Sequence, residues 1–69
     1  MSVAVVVNGQ DRTLDESGID GLLRALGHDP RRSGIAVAIN DEVVPRAHWR
    51  RREIVDGDRI EIVGAVQGG

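Results

Sequence analysis

The chain has 69 residues, a formal net charge of -2 and no cysteine. This length leaves room for one domain with one small core, which argues against an enzyme with a deep pocket of its own. The lack of cysteine excludes disulfides, thiolate metal ligands and thiol nucleophiles, and the acidic balance argues against a nucleic-acid or membrane-surface protein. With no long apolar run and no signal-peptide pattern, the sequence predicts a cytoplasmic protein.

The first segment of the chain predicts a β-hairpin. Residues 2–7 are apolar and mostly β-branched, whereas residues 10–14 interleave polar side chains. Between them stands Asn8-Gly9, which is the strongest two-residue signal for a hairpin turn. We therefore expect two antiparallel strands joined by a tight turn.

An amphipathic helix is predicted next. Its apolar residues recur at helical spacing and are Ile19, Leu22, Leu23 and Leu26. Ser17 precedes the run as the expected N-cap, and Asp20 stands where the acid of a capping box would lie. Gly27 is expected to cap the C-terminal end, and Pro30 prevents the helix from continuing.

The second half of the chain predicts short strands and turns. Alternation of branched residues with alanines over Ile35–Ile39 predicts a strand with one face under the helix, and Asn40-Asp41-Glu42 is expected to form the turn that ends it. Val43-Val44-Pro45 can form only a short or edge strand because proline has no N–H to donate. Residues 46–50 are expected to form a helical turn.

A last turn and strand complete the predicted fold. Asp56-Gly57-Asp58 is typical of a turn, and residues 59–63 alternate between polar and branched side chains as a strand does. We predict an α+β domain over residues 1–64, with a mixed sheet of four to five strands and one main helix packed on one face. Residues 65–69 are expected to form a flexible tail.

The two final residues give the strongest indication of function. Gly68 and Gly69 have no side chains, so they form an unbranched thread that can enter a narrow tunnel and present a carboxylate. Two terminal glycines also arise by chance in a glycine-rich chain, so the tail by itself is suggestive only.

Several segments, taken in order along the chain, carry a family resemblance. The two most specific are Val43-Val44-Pro45-Arg46, with Trp49 three residues on, and residues 56–62, which lead into residues 65–69. Less specific matches are Val7-Asn8-Gly9, Leu22-Leu23, Leu26-Gly27 and residues 35–40. In this order the segments resemble the ThiS family of sulfur carriers. The resemblance covers nearly the whole chain and implies a ubiquitin-like β-grasp fold.

The resemblance also implies a reaction at the tail. The carboxylate of Gly69 would be adenylated by a ThiF-like adenylyltransferase, converted to a thiocarboxylate with sulfur from a persulfide donor, and used by a ThiG-like thiazole synthase in thiamine biosynthesis. Val66, Gln67 and Gly68 would enter the partner's tunnel, although Val66 also suits the end of the last strand and Gln67 a polar spacer. The chain would be a co-substrate and not an enzyme.

No cofactor is expected on the chain itself. It lacks a Walker-type phosphate-binding loop and has no lysine, so ATP would be used by the partner enzyme. His28 and His48 are 20 positions apart without any spacing typical of metal ligands, and Asp56 and Asp58 suit a turn better than a calcium loop.

Trp49 and Arg46 are candidates for a partner surface, since tryptophan and arginine are favoured at the centres of interfaces. Trp49 is also suited to anchoring the core of an acidic chain with one aromatic residue. Arg50, Arg51 and Arg52 next to Trp49 offer a combination that binds nucleic acid in other proteins, but the acidic composition argues against it. Whether these three arginines contact a partner stays open.

Other functions remain open from the sequence. The same chemistry serves other pathways, such as molybdopterin or cysteine synthesis. A non-covalent β-grasp binding module would keep its terminus unmodified, and a protein modifier would form conjugates of higher mass.

Overall fold

The computed structural model describes residues 2–15 and 17–64. Within this part the elements are β1 (Val3–Val7), β2 (Gln10–Leu14), α1 (Ile19–Ala25), β3 (Ile35–Ile39), β4 (Glu42–Val44), a 3-10 helix (Arg46–His48) and β5 (Arg59–Gly64). The predicted α+β fold with a mixed sheet and one main helix is confirmed. No helix in the described ranges is long and apolar enough to cross a membrane.

The five strands form one mixed sheet in the order β2-β1-β5-β3-β4. The two hairpins and the β3-β5 pair are antiparallel, whereas β1 and β5 are parallel. The last strand therefore enters the centre of the sheet between the two hairpins. The prediction that Val43 and Val44 belong to a short edge strand is confirmed by the position of β4.

Both hairpins turn through two residues in the left-handed region of backbone space. Asn8 and Gly9 have φ values of 50° and 82°, and Asn40 and Asp41 have values of 53° and 70°. Turns of this kind match the twist of antiparallel strands and favour asparagine and glycine. The expected three-residue turn at 40–42 is one residue too long, because Glu42 already pairs with Ile39 in the ladder.

The predicted capping box at the start of α1 is wrong. Gly18 is the N-cap and makes no side-chain capping bond, so Ser17 and Asp20 lie outside the positions that a capping box requires. Instead, residues 53 and 54 of the same chain hold this end of the helix. Ile54 donates its N–H to the carbonyl of Ser17 at 2.8 Å, and Gly18 forms an isolated bridge with Glu53.

The C-terminal end of α1 is capped as predicted. Gly27 has a φ of 89° and donates its N–H to the carbonyl of Arg24 at 3.0 Å, while His28 donates to Leu23 at 2.8 Å. These two bonds form a Schellman motif, which needs a left-handed residue at the position that Gly27 occupies.

One hydrophobic core lies between α1 and one face of the sheet. Its buried residues are Val5, Val7, Leu14, Ile19, Leu22, Leu23, Val37, Ile39, Trp49, Ile54, Ile60 and Ile62. Ten of these residues follow the predicted strand and helix periodicities. Trp49 and Ile54 instead come from the irregular segment between β4 and β5, where no periodic pattern indicates burial.

Candidate functional site

The last described residue of the central strand sets the position from which the chain continues toward Gly69. Gly64 ends β5 and pairs with Ile35, the first residue of β3. The predicted site residues Val66, Gln67, Gly68 and Gly69, with the whole segment 65–69, lie outside the described residues. The structure thus fixes where this segment begins, at the end of the sheet where β3 starts.

The side chain of Asn8 extends the pairing of β5 beyond the end of β1. β1 pairs with β5 only as far as Val7 and Ile60, because the chain then turns into the hairpin. Asn8 accepts a hydrogen bond from the N–H of Ile62 at 2.8 Å and donates to the carbonyl of Ile62 at 3.3 Å. An amide side chain supplies both a donor and an acceptor, so it replaces the missing strand at Ile62.

Replacing Asn8 by Gly is expected to destabilise the domain by about 1 to 2 kcal/mol. Glycine accepts the left-handed backbone at this position, so the change removes the amide without adding backbone strain. Asn8→Asp keeps an acceptor for the N–H of Ile62 but places a second oxygen against its carbonyl. Urea denaturation monitored by circular dichroism gives the free energy of unfolding of both variants. Stability equal to that of the parent chain in Asn8→Gly would show that the amide does not hold β5.

An exposed apolar strip crosses the sheet on the face away from the helix. Val63 and Val43 are 66% and 71% exposed. Val63 pairs with Ala36, and Val43 pairs with Ala38, so these side chains project from the same face on β5, β3 and β4. We name Ala36, Ala38, Val43 and Val63 the outer strip. It ends one residue before Gly64, beside the start of segment 65–69.

Trp49 is a core residue. It is 4% exposed, and its indole N–H donates to the carbonyl of Val44 at 2.9 Å. The guanidinium of Arg46 lies over the ring, 4.3 Å from its centroid. A partner would therefore meet Arg46 before it met the indole ring, and the structure favours the core-anchor interpretation of Trp49 over a direct contact.

Arg46 fastens the loop that precedes β3. Its guanidinium donates to the carbonyls of Pro30 and Arg32 while it covers Trp49. In the same loop Arg31 donates to Asp29, and these hydrogen bonds lower the pKa of Asp29 below its ordinary value and raise that of Arg31. The loop next to the end of β5 is thus held by side chains as well as by its backbone.

A buried carboxylate in the turn predicted at residues 56–58 joins three segments of the chain. Asp58 is 4% exposed and accepts hydrogen bonds from the side chain of Asn40 and the N–H of Val55, both at 2.9 Å. The guanidinium of Arg52 lies 3.6 Å away. Asn40 in turn accepts from the N–H of Arg59, so this network fixes the start of β5. The burial of Asp58 has no sequence signal of its own.

Residues 2–15 and 17–64 contain no group of three or more His, Asp or Glu side chains arranged to hold a metal ion. Every buried side-chain nitrogen or oxygen in these ranges has a hydrogen-bond partner. The features that lead toward Gly69 are a fixed strand, an exposed apolar strip and a fastened loop, which are suited to binding another protein.

Comparison with known proteins assigns the family. The model of the ThiS family matches residues 5–69. The chain is 38% identical over 66 residues to the thiazole synthase of Paramagnetospirillum magneticum, covering 94% of this chain and 20% of that protein. It is 42% identical over 41 residues to sulfur carrier protein ThiS of Escherichia coli K12, covering 59% of this chain and 62% of that one. The matches therefore span less than two thirds of either relative.

A solved structure agrees with the fold and the family. The thiamine biosynthesis protein (ThiS) from Geobacter metallireducens superposes with a TM-score of 0.77 and 28% identity, covering 97% of this chain and all of that one. The mixed sheet with one helix is therefore the β-grasp fold. Because the family model matches the chain from β1 to the final glycine, this protein belongs to the ThiS family.

Proposed function

We propose that the chain is a sulfur carrier for thiamine biosynthesis and that the carboxylate of Gly69 carries the sulfur. The observation that carries this proposal is the match to the ThiS family over residues 5–69, which includes Gly68 and Gly69. The Escherichia coli relative named as a sulfur carrier supports it. The chain acts as a protein co-substrate, and the catalytic groups belong to its partners.

The proposed chemistry begins with activation of a poor electrophile. The Gly69 carboxylate attacks the α-phosphate of ATP on an adenylyltransferase, which releases pyrophosphate and leaves an acyl-adenylate. The terminal sulfur of a persulfide then attacks the acyl carbon and displaces AMP. A thiol cleaves the resulting S–S bond and releases the thiocarboxylate. The chain has no cysteine, so both the persulfide and the thiol come from partner molecules.

The length of the segment beyond β5 limits where such a partner binds. Five residues follow Gly64, and five fully extended residues span at most about 18 Å. An enzyme that acts on Gly69 must therefore cover the surface around the end of β5. The outer strip meets this surface at Val63 and Ala36, so we place the partner's apolar contact there.

The second proposed partner is a thiazole synthase. A segment similar to nearly the whole of this chain makes up a fifth of the Paramagnetospirillum protein that bears this name. The presence of a carrier-like segment within a thiazole synthase supports physical association of the carrier with the synthase. In this proposal the synthase takes sulfur from Gly69, and ATP is bound only by the adenylyltransferase.

The intact mass of the protein tests the proposal. After incubation with ATP, a persulfide source and a ThiF-type adenylyltransferase, we expect a mass change equal to replacement of one oxygen by one sulfur. Reactions without ATP provide the control, because the adenylate cannot form in them. An unchanged mass, with an adenylyltransferase that modifies another carrier in parallel, would contradict the proposal and favour a non-covalent binding module.

A further inference from the structure

Basic and acidic residues are strongly segregated along this chain. Residues 24–34 and 46–52 contain seven arginines and one acidic residue, a formal charge of +6. The rest of the chain contains two arginines and ten acidic residues, a formal charge of -8. The net charge of -2 is therefore the sum of a basic part and an acidic part of the chain.

The fold brings the two basic segments together. Arg46 of the second segment donates hydrogen bonds to the carbonyls of Pro30 and Arg32 in the first. We name residues 24–34 and 46–52 the basic face. Its exposed arginines are Arg24, Arg31, Arg32, Arg46, Arg50 and Arg51. Arg52 is the exception because it turns toward the buried carboxylate of Asp58.

The basic face borders the place where the chain leaves the sheet toward Gly69. The loop that carries Arg31 and Arg32 leads directly into Ile35, and Ile35 pairs with Gly64. Arg32 precedes Ile35 by three residues, a distance of at most about 11 Å along the backbone. A protein surface that receives Gly69 within the reach of the last five residues would therefore also face this loop.

One arginine of this loop, Arg32, has a charge that is available to a partner. Among the described residues, Arg32 makes no ion pair, and its carbonyl is held by Arg46 so that the backbone that carries the side chain is fixed. Asp29 is the one acidic residue of the basic face and is bound by Arg31 at 3.3 Å. Exposed guanidinium groups on a fixed backbone are well suited to carboxylates on an opposing surface.

We propose that the basic face docks on an acidic surface beside the active-site entrance of the adenylyltransferase that activates Gly69. This inference rests on the proposed function and adds the charge of the surface that the partner presents. Activation requires two separate proteins to meet, and complementary fields accelerate such an encounter and orient it. In this proposal the outer strip makes the apolar contact, and the basic face orients the carrier on the enzyme.

A protein partner fits these observations better than a nucleic acid. Single-stranded nucleic acid is bound by exposed aromatic rings together with basic groups. The chain has one aromatic residue, Trp49, and this residue is buried beneath Arg46. The acidic remainder of the chain would also repel a polyanion that extended beyond the basic face.

Charge reversal of single arginines tests the docking surface. Arg32→Glu and Arg51→Glu change the basic face, and Arg12→Glu makes the same change on the exposed surface of β2 as a matched control. The measurement is the rate of thiocarboxylate formation at limiting carrier with the complete reaction mixture. At about 0.05 M salt we expect Arg32→Glu to lower kcat/KM about tenfold, mainly through KM, and Arg12→Glu to change it less than about twofold. At about 0.5 M salt the difference should largely vanish because the charges are screened.

The outcomes separate this inference from the proposed function. If the parent chain acquires no sulfur, the proposed function fails. If the parent chain is thiolated and Arg32→Glu matches Arg12→Glu at low salt, the docking inference is overturned while the function stands. If Arg32→Glu is slower than Arg12→Glu at low salt, the inference is supported, and the rate of Arg51→Glu shows whether the contact extends to residues 46–52. The docking inference would also be overturned if the parent chain bound a labelled single-stranded RNA saturably and Arg32→Glu abolished that binding. The basic face would then be a nucleic-acid surface. Thermal melting of each variant confirms that it is folded.

Discussion

Deletion of Gly69 is expected to abolish thiocarboxylate formation and to leave the melting temperature unchanged. The shortened chain still ends in a carboxylate, but that carboxylate lies one residue, about 3.5 Å, closer to β5. Attack on a bound nucleotide requires the reacting atoms to lie within about 3.5 Å of each other, so a displacement of this size removes the reaction. The described core lies between Val5 and Ile62, so we expect the melting temperature to be insensitive to this deletion. Intact mass after the complete reaction, with a thermal melt, measures both effects.

Gly68→Val tests whether the tail must also be unbranched. This variant keeps the chain length and the terminal carboxylate but adds a branched side chain next to the reacting residue. We expect at least a hundredfold lower rate if the tail enters a narrow tunnel, since the loss of a productive geometry has effects of this order. Gly18→Ala, at the start of α1, is the control, because a methyl group there would have no heavy atom within 4 Å. For the deletion described above, full thiolation of the chain that lacks Gly69 would disprove the assignment of Gly69 as the residue with the reactive carboxylate.

Asp58→Ala is expected to have the largest effect on stability among polar substitutions at described residues. The change leaves the N–H of Val55 and the amide of Asn40 without their acceptor and removes the partner of Arg52. Loss of a buried, hydrogen-bonded charge costs about 3 kcal/mol or more. For a domain of this size that lowers the melting temperature by about 12 °C or more. Such a loss is a large part of the total free energy of unfolding, about 3 to 10 kcal/mol.

Asp56→Ala provides the matched control in the same turn. Asp56 is exposed and accepts one hydrogen bond, from the N–H of Ala4 at 2.8 Å, so we expect a loss of about 1 kcal/mol. Asp58→Asn keeps the side-chain shape and one acceptor oxygen and should lie between the two alanine variants. Urea denaturation of all three proteins gives the comparison. Equal losses in the free energy of unfolding for Asp58→Ala and Asp56→Ala would show that the buried network of Asp58 adds nothing to stability.

Local sequence signals predicted most of the fold because they act over a few residues. Asn8-Gly9 predicts its turn since both residues accept the left-handed backbone, and Gly27 predicts the helix end for the same reason. The period of two in β3 and β5 and the spacing of Leu22 and Leu23 predict which side chains are buried. The family resemblance also came from the sequence, through the order of short segments along the chain.

Contacts between distant segments were not predicted. Ser17 was expected to cap α1, yet the helix begins at Gly18 and is held by Ile54, 37 positions further along the chain from Ser17. The sequence predicts Asn8 only as a turn residue, but its side chain also bonds Ile62 at a separation of 54 positions. A local pattern contains no information about which side chains meet across such distances.

The sequence by itself determined the elements, the fold class, the family and Gly69 as the candidate reactive residue, because each depends on residue type at short spacing or at the chain's end. Tertiary structure alone decided that Trp49 is buried under Arg46, that Asp58 is buried at the centre of a hydrogen-bond network, and that Arg46 of one basic segment bonds the loop of the other. Burial and summed charge depend on which segments come together, and that is fixed only when the chain has folded.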